Sequence, residues 1–286
     1  MVENPWLSRR VVAFAHQGGA KEAPSSTLYA IERAVAAGAP AIELDVHATA
    51  DRQLVVSHDA TLDRTTNGSG EIRHHSLEAL RQLDNAYYFV EGEDVQADRP
   101  PASYQLRGRA PAEARLGIAT LEEVLAEFPG VVLNMDIKQT APAVEPYEAL
   151  LAELLRQHGR TDDVIVASFD DRATEAFKSY APEIATSAGT RATAEFYRAV
   201  HEGTPVPESV RRHVALQVPA SYGEITVVDE LFVRRAHEEG LAVHVWTVNE
   251  RTEMERLLDL GVDGIISDVP SVLVSLLAER KVAWRP

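Results

Sequence analysis

Titratable residues stand in this chain where a buried strand is ordinarily apolar. Residues 41–46 read Ala-Ile-Glu-Leu-Asp-Val. The period-two geometry of a strand puts Glu43 and Asp45 on one face and Ile42, Leu44 and Val46 on the other. Like charges side by side in an interior need a cation or a proton to offset them, whereas on a solvated strand face they need neither. The run "LNMDIK" repeats the pattern, with Asn134, Asp136 and Lys138 opposite Leu133, Met135 and Ile137. The plain alternative there is an internal salt bridge. His16 closes the apolar run "VVAFAH", and "QGG" follows it; a glycine pair permits positive φ and lets a ligand approach the backbone. His58 closes "LVVSH". With a turn at Asp51–Arg52, paired residue numbers across the hairpin sum to about 103, which sets Asp45 opposite His58 within about 5 Å. Glu43, Asp45 and Asp136 form an all-oxygen set in a chain without cysteine. That chemistry favours one hard divalent cation, Mg²⁺ or Ca²⁺, over zinc.

The elements that must position these groups alternate along the chain. Strand-like runs fall at 11–16, 41–46, 54–58, 131–137, 164–169, 183–188, 215–219, 241–248 and 264–267, with amphipathic helical stretches such as "TLYAIERAVAAG" and "RTEMERLLDLG" between most of them. Repeated β-α units predict a parallel sheet with right-handed crossovers. The link from Val46 to Leu54 is too short for such a crossover, so 54–58 is expected as an antiparallel return strand. Setting it aside leaves eight units. The expected fold is α/β, a single (β/α)₈ TIM-type barrel over residues 1–286, with a β-hairpin excursion after the second strand; a doubly wound sheet is the other arrangement this order permits. Residues of about 85–117, rich in Pro, Gly and charge, read as a long loop insertion. Its Tyr87, Tyr88, Phe89 and Tyr104 either roof the barrel mouth or pin the loop to the rim. His47 reads as an exposed hairpin residue.

Composition narrows the partners. The 286 residues are 45% hydrophobic and 25% charged, with a formal net charge of −16 and no cysteine. That balance argues against nucleic acid or an anionic membrane surface as partner, and excludes thiolate chemistry and disulfides. An anionic substrate then needs a local device that inverts the field. The N-terminal "MVENPWLSRR" has no apolar signal core, and no run approaches a membrane span, so the expected location is cytoplasmic. Composition leaves the oligomeric state open.

Residues 15–70, "AHQGGAKEAPSSTLYAIERAVAAGAPAIELDVHATADRQLVVSHDATLDRTTNGSG", resemble the N-terminal signature of the glycerophosphodiester phosphodiesterases. "IATLEEVL", "NMDIK", "ASFD", "VWTVN" and "GVDGIISDVP" match further motifs of that family in order, so the resemblance spans residues 11–270. It implies a TIM-type barrel, a divalent cation and hydrolysis of glycerol phosphodiesters. Carried over by position, it implies His16 and His58 as the acid/base pair and Glu43, Asp45 and Asp136 as metal ligands. Lys138 falls on the phosphate side and Trp246 on a pocket-lining aromatic. Gln17 stands where the family has arginine, and Ser25 and Ser26 replace its Glu-Asn. The doubled glycine, His47 and the Asn-x-Asp-Ile-Lys form are similar to the branch that acts as a lysophospholipase D. The expected partner is therefore a small phosphodiester or a lysophospholipid. A non-catalytic phosphodiester-binding protein, and a related barrel acting on inositol or sphingolipid head groups, are the remaining readings.

Overall fold

A computed structural model describes residues 4–8, 10–138, 147–282 and 284. The expected domain span of 1–286 includes positions outside these. The strands are β1 (Val12–His16), β2 (Ala41–Ala48), β3 (Leu54–Val56), β4 (Val132–Ile137), β5 (Val164–Ala167), β6 (Ala185–Ala188), β7 (Ala215–Pro219), β8 (Ser221–Tyr222), β9 (Ile225–Thr226), β10 (Ala242–Trp246) and β11 (Gly264–Ser267). Eight of them pair in parallel in the order β1-β11-β10-β7-β6-β5-β4-β2, and β2 returns to β1, so the sheet closes into a barrel. The doubly wound alternative is thereby excluded.

Strand alternation sorts the side chains as expected. Ile42, Leu44 and Val46 point outward and join Leu133, Met135 and Ile137 in a layer packed on helix residues such as Ile31, Val124, Leu151 and Phe177. Leu216, Val218, Val243, Val245 and Ile265 do the same on the far side, against Phe196, Phe232 and Leu257. Inside the barrel, Val12, Phe14, Ile165, Ala242 and Ile266 pack with Trp6 of the short helix Pro5–Ser8. Local signals end the helices. Thr120 and Glu123 form a reciprocal capping box at the start of Leu121–Glu127. Gly261 takes the left-handed φ of +86° that closes Arg251–Leu260.

Two expectations about the excursion are corrected. β3 is antiparallel to β2, but Val46 pairs with Val56 and His47 with Val55, so the numbers sum to 102. Asp45 therefore lies opposite Ser57, whose N–H donates to the Asp45 carbonyl at 3.0 Å, and not opposite His58. The reason is the turn. Thr49 and Gln53 close it by a 2.9 Å backbone bond, centring it on Asp51, whose carboxylate accepts the Thr49 hydroxyl at 2.6 Å. His47, expected at the surface, is buried. β2 continues to Ala48, and the segment after β3 folds over the hairpin, with Ala50 N–H donating to the His75 carbonyl and Leu77 N–H to the Asp51 carboxylate.

Within the 85–117 loop the only regular elements are the 3-10 turns Pro101–Ser103 and Ala114–Leu116. Three of its aromatics pack within the loop itself. The Arg107 guanidinium lies 4.3, 5.2 and 3.8 Å from the ring centroids of Tyr87, Tyr88 and Tyr104, and Phe89 is buried. The β8–β9 hairpin is an element the sequence reading lacked, because two-residue strands carry no periodicity. Among the described residues, no helix is long and apolar enough to cross a membrane.

Candidate active site

The parallel register gathers the candidate residues at the C-terminal ends of β1, β2 and β4. His16 is level with Glu43, Glu43 with Asn134, and Asp45 with Asp136. With the apolar alternates facing the helices, both carboxylates of β2 turn into the barrel, and Glu43, Asp45 and Asp136 are all buried. Lys138, just past β4, bridges two of them, with Nζ 2.7 Å from Asp45 Oδ1 and 3.0 Å from Asp136 Oδ2. His16 Nε2 stands 3.7 Å from Glu43 Oε2. His58 reaches the same place from the end of the return strand, its ring centroid 6.5 Å from that of His16 and nearly perpendicular to it. The structure thus brings together both histidines, all three acids and the lysine.

Each imidazole carries a carboxylate on Nδ1. Asp268, just past β11, meets His16 Nδ1 at 2.6 Å; the Asn249 amide donates to the other Asp268 oxygen at 2.7 Å and accepts the Asp268 backbone N–H at 2.9 Å. Asp59 meets His58 Nδ1 at 2.7 Å and is gripped by Arg64 through Nε at 2.6 Å and a terminal nitrogen at 3.1 Å. Such partners fix ring orientation and leave Nε2 for proton exchange. Asp59, Arg64, Asn249 and Asp268 were missed by sequence reasoning. They lie inside stretches already singled out, "HDATLDR", "VWTVN" and "GIISD". Nothing in their spacing says which histidine each one meets.

The electrostatics follow from crowding acids in a dry space. Burial and the charge of Asp45 push Glu43 up to about 8, against the pull of His16. Burial also pushes Asp136 up to about 6, with Lys138 opposing and Asp45 adding. For His16, burial works against the charged ring, but the Asp268 hydrogen bond and the charges of Glu43, Asp268 and Asp45 outweigh it and hold the ring up at about 9. At Asp59, burial favours the neutral acid, yet the bonds from His58 and Arg64 prevail and keep the carboxyl well below its usual range. The site carries more negative charge than its own cations offset.

The acids satisfy one test for a divalent cation. Among the described residues, Asp45 Oδ2 and Asp136 Oδ1 are buried without a hydrogen-bond partner, and the donors are hard oxygens. Among the described residues, however, no three His, Cys, Asp or Glu side chains are already clustered as metal ligands, and Lys138 pairs with both aspartates.

The remaining candidates are also placed. Gln17 is buried at φ +52°, its N–H donating to the Glu43 carbonyl at 2.9 Å and its side-chain amide 3.1 Å from His16 Nε2. Trp246 packs edge-on to Phe169 at 5.6 Å between centroids. The glycine pair does different work from that expected. A Cβ on Gly18 would stand 2.8 Å from Ala30 Cβ, and one on Gly19 2.9 Å from Pro270 Cγ, so both admit the close approach of the chain's own helices.

A fold shared by many chemistries does not identify one of them, but known proteins share more with this chain than its fold. The structure is similar to that of the glycerophosphoryl diester phosphodiesterase domain of a Mycobacterium tuberculosis protein, with a TM-score of 0.75 at 19% identity over 93% of this chain and 99% of that one. It is also similar to an Oleispira antarctica phosphodiesterase solved with the product sn-glycerol-3-phosphate, with a TM-score of 0.69 at 25% identity over 96% of this chain and 99% of that one. By sequence it is 30% identical to the glycerophosphodiester phosphodiesterase of Caldanaerobacter subterraneus subsp. tengcongensis over 271 residues, covering 94% of this chain and 98% of the relative. The profile of the glycerophosphoryl diester phosphodiesterase family matches residues 16–272, from the first histidine of the site to just beyond the aspartate that holds it. The chain belongs to that family and is a phosphoric diester hydrolase.

Proposed function

We propose that this chain, as one domain over residues 1–286, hydrolyses glycerophospho-alcohols to glycerol 3-phosphate and the free alcohol with His16 and His58 as its acid–base pair. The observation that carries the reading is the pair itself, two rings 6.5 Å apart, each with a carboxylate on Nδ1, beside three inward acids and a lysine. One histidine takes a proton from the attacking water. The bond from phosphorus to the alcohol oxygen breaks, and the other histidine protonates that oxygen as it leaves. Proton transfer of this kind contributes about 10²- to 10⁴-fold in rate. Lys138 meets the phosphate's negative charge, with Gln17 and Trp246 on the substrate side. Glu43, Asp45 and Asp136 would hold one divalent cation, Mg²⁺ or Ca²⁺, which when bound would supply positive charge to the phosphate oxygens. That all of these groups lie together speaks against a protein that only binds phosphodiesters.

The test is ³¹P NMR of glycerophosphocholine with the purified protein in Mg²⁺, in Ca²⁺ and in chelator. Glycerol 3-phosphate is expected with a divalent cation and at least 10²-fold more slowly in chelator. Equal turnover in chelator would remove the cation from the account, and no turnover under any condition would remove the hydrolase reading.

A further inference from the structure

The barrel does not hold the two histidines equally. His16 ends β1 and shares that strand's pairing with β11 and β2. His58 lies past the short return strand β3, so its segment needs a tie of its own. Asn85, at the root of the 85–117 loop, supplies one. Its side-chain oxygen accepts the Thr65 hydroxyl at 2.6 Å, and its amide nitrogen donates to the Ser25 carbonyl at 3.2 Å. Thr65 follows Arg64, the residue that grips Asp59 behind His58. Ser25 precedes Ser26, whose N–H donates at 2.8 Å to the carbonyl of Gln17, the neighbour of His16. One buried side chain thus joins the segment that carries His58 to the loop that follows His16. A carboxamide both accepts from a hydroxyl and donates to a carbonyl, which neither a carboxylate nor an aliphatic group of that size does. Asn85 is itself fixed. Its N–H donates to the Leu116 carbonyl at 3.0 Å, and the preceding Asp84 carboxylate accepts the N–H groups of Ala86 at 2.9 Å and Gly108 at 2.6 Å. The Asn67 side-chain oxygen accepts the Asp84 N–H at 2.9 Å, a second bond between the loop root and the His58 side.

We infer that Asn85 is a positioning residue for the two-histidine site, setting His58 and its Asp59–Arg64 support against His16, and that bracing this pair is the work of the 85–117 loop root. This rests on the hydrolase reading above and names a residue which that reading leaves unused. Proton transfer at two points of one phosphodiester tolerates little error, since a misplacement of about 1 Å costs up to about 10²-fold in rate. Asn85 touches neither reacting oxygen nor phosphate in this scheme. Its loss is therefore read in kcat and not in substrate affinity.

The test is kcat and KM on glycerophosphocholine for the wild type, Asn85→Ala, Thr65→Val, Thr65→Ser, Tyr104→Phe and the Thr65→Val/Asn85→Ala double variant. Tyr104→Phe is the control for the loop itself. The Tyr104 hydroxyl donates to the Gln96 carbonyl at 2.6 Å and accepts the Arg99 N–H at 2.9 Å, both within the loop. Asn85→Ala is expected to lower kcat by at least about tenfold with KM within about threefold. Thr65→Val should also lower kcat, whereas Thr65→Ser, which keeps the hydroxyl, and Tyr104→Phe should stay within about twofold of the wild type. The double variant should lose little more than Asn85→Ala alone, because both changes break one tie. Unchanged kcat in Asn85→Ala overturns the brace while leaving the hydrolase reading standing. So does a loss in Tyr104→Phe as large as that in Asn85→Ala, which makes the effect one of loop stability, or losses that multiply in the double variant. If Asn85→Ala does not fold, equal kcat in Thr65→Val and Thr65→Ser overturns the brace by itself. Absence of turnover in the wild type overturns the hydrolase reading and the brace with it.

Discussion

At the scale of the residue, the site depends on what stands behind each reacting group. An imidazole free to rotate presents its proton in any direction, whereas His16 is held by an Asp268 that is itself fixed by Asn249. Replacing Asp268 by Asn keeps the shape and removes the charge that favours the protonated ring. D268N is expected to lower kcat on glycerophosphocholine on the order of 10²-fold with little change in KM, because the phosphate contacts are untouched. A rise in KM at constant kcat would place Asp268 on the substrate instead. The candidates legible from the sequence were those whose type is improbable at their position, such as Glu43 and Asp45 on a buried strand. Asp59 and Asp268 were illegible because an acid just past a strand end is an ordinary residue. Only the folded chain shows that each one meets a histidine.

At the scale of the element, the alternation along β2 and β4 was legible because only one face of each could pack against helices. Register was not, because one residue in the turn decides it. The bond between Thr49 and Asp51 centres the turn on Asp51, moves Asp45 from His58 to Ser57, and leaves His58 to enter the site from beyond the end of β3. The glycine pair after His16 shows the same limit, since sequence signals freedom of backbone without saying what needs the space. Gly18 takes φ +84° with Ala30 pressed against it, whereas Gly203 takes φ +66° with nothing within 4 Å. Gly18→Ala should therefore cost about 2–4 kcal/mol, combining left-handed strain with overpacking, and Gly203→Ala only about 1–2 kcal/mol. Urea denaturation of the two variants checks this; equal losses would mean that the packing of the helix Leu28–Ala36 onto Gly18 yields without cost.

At the scale of the whole molecule, the barrel separates a charged mouth from a mostly apolar interior, and His244 is a titratable residue set in that interior. His244 is fully buried beside Phe14 and Trp6, neither ring nitrogen has a hydrogen-bond partner among the described residues, and burial pushes it down to about 4. Its unfolded value is 6.5, so between the two values the unfolded chain binds the proton that the folded chain refuses. The stability is whole above pH 6.5 and falls as the pH drops toward 4, by about 1.4 kcal/mol per pH unit. His244→Leu should remove that share of the slope. The difference between wild type and variant in urea midpoints, followed from pH 7.5 to 4.5, measures it, and parallel curves would show that His244 takes up its proton inside the fold. The barrel itself was legible because eight β-α units and one short link leave few topologies. The contacts that brace its mouth were not, because they join segments far apart in the chain.

The central claim is that His16 and His58 act as one acid–base unit, and the most direct measurement is kcat on glycerophosphocholine for His16→Ala, His58→Ala and the double variant. The account predicts that each single change costs at least about 10²-fold and that the double costs little more than either alone, because residues acting as a unit are strongly non-additive. A single variant with near wild-type turnover, or losses that multiply in the double, would contradict it.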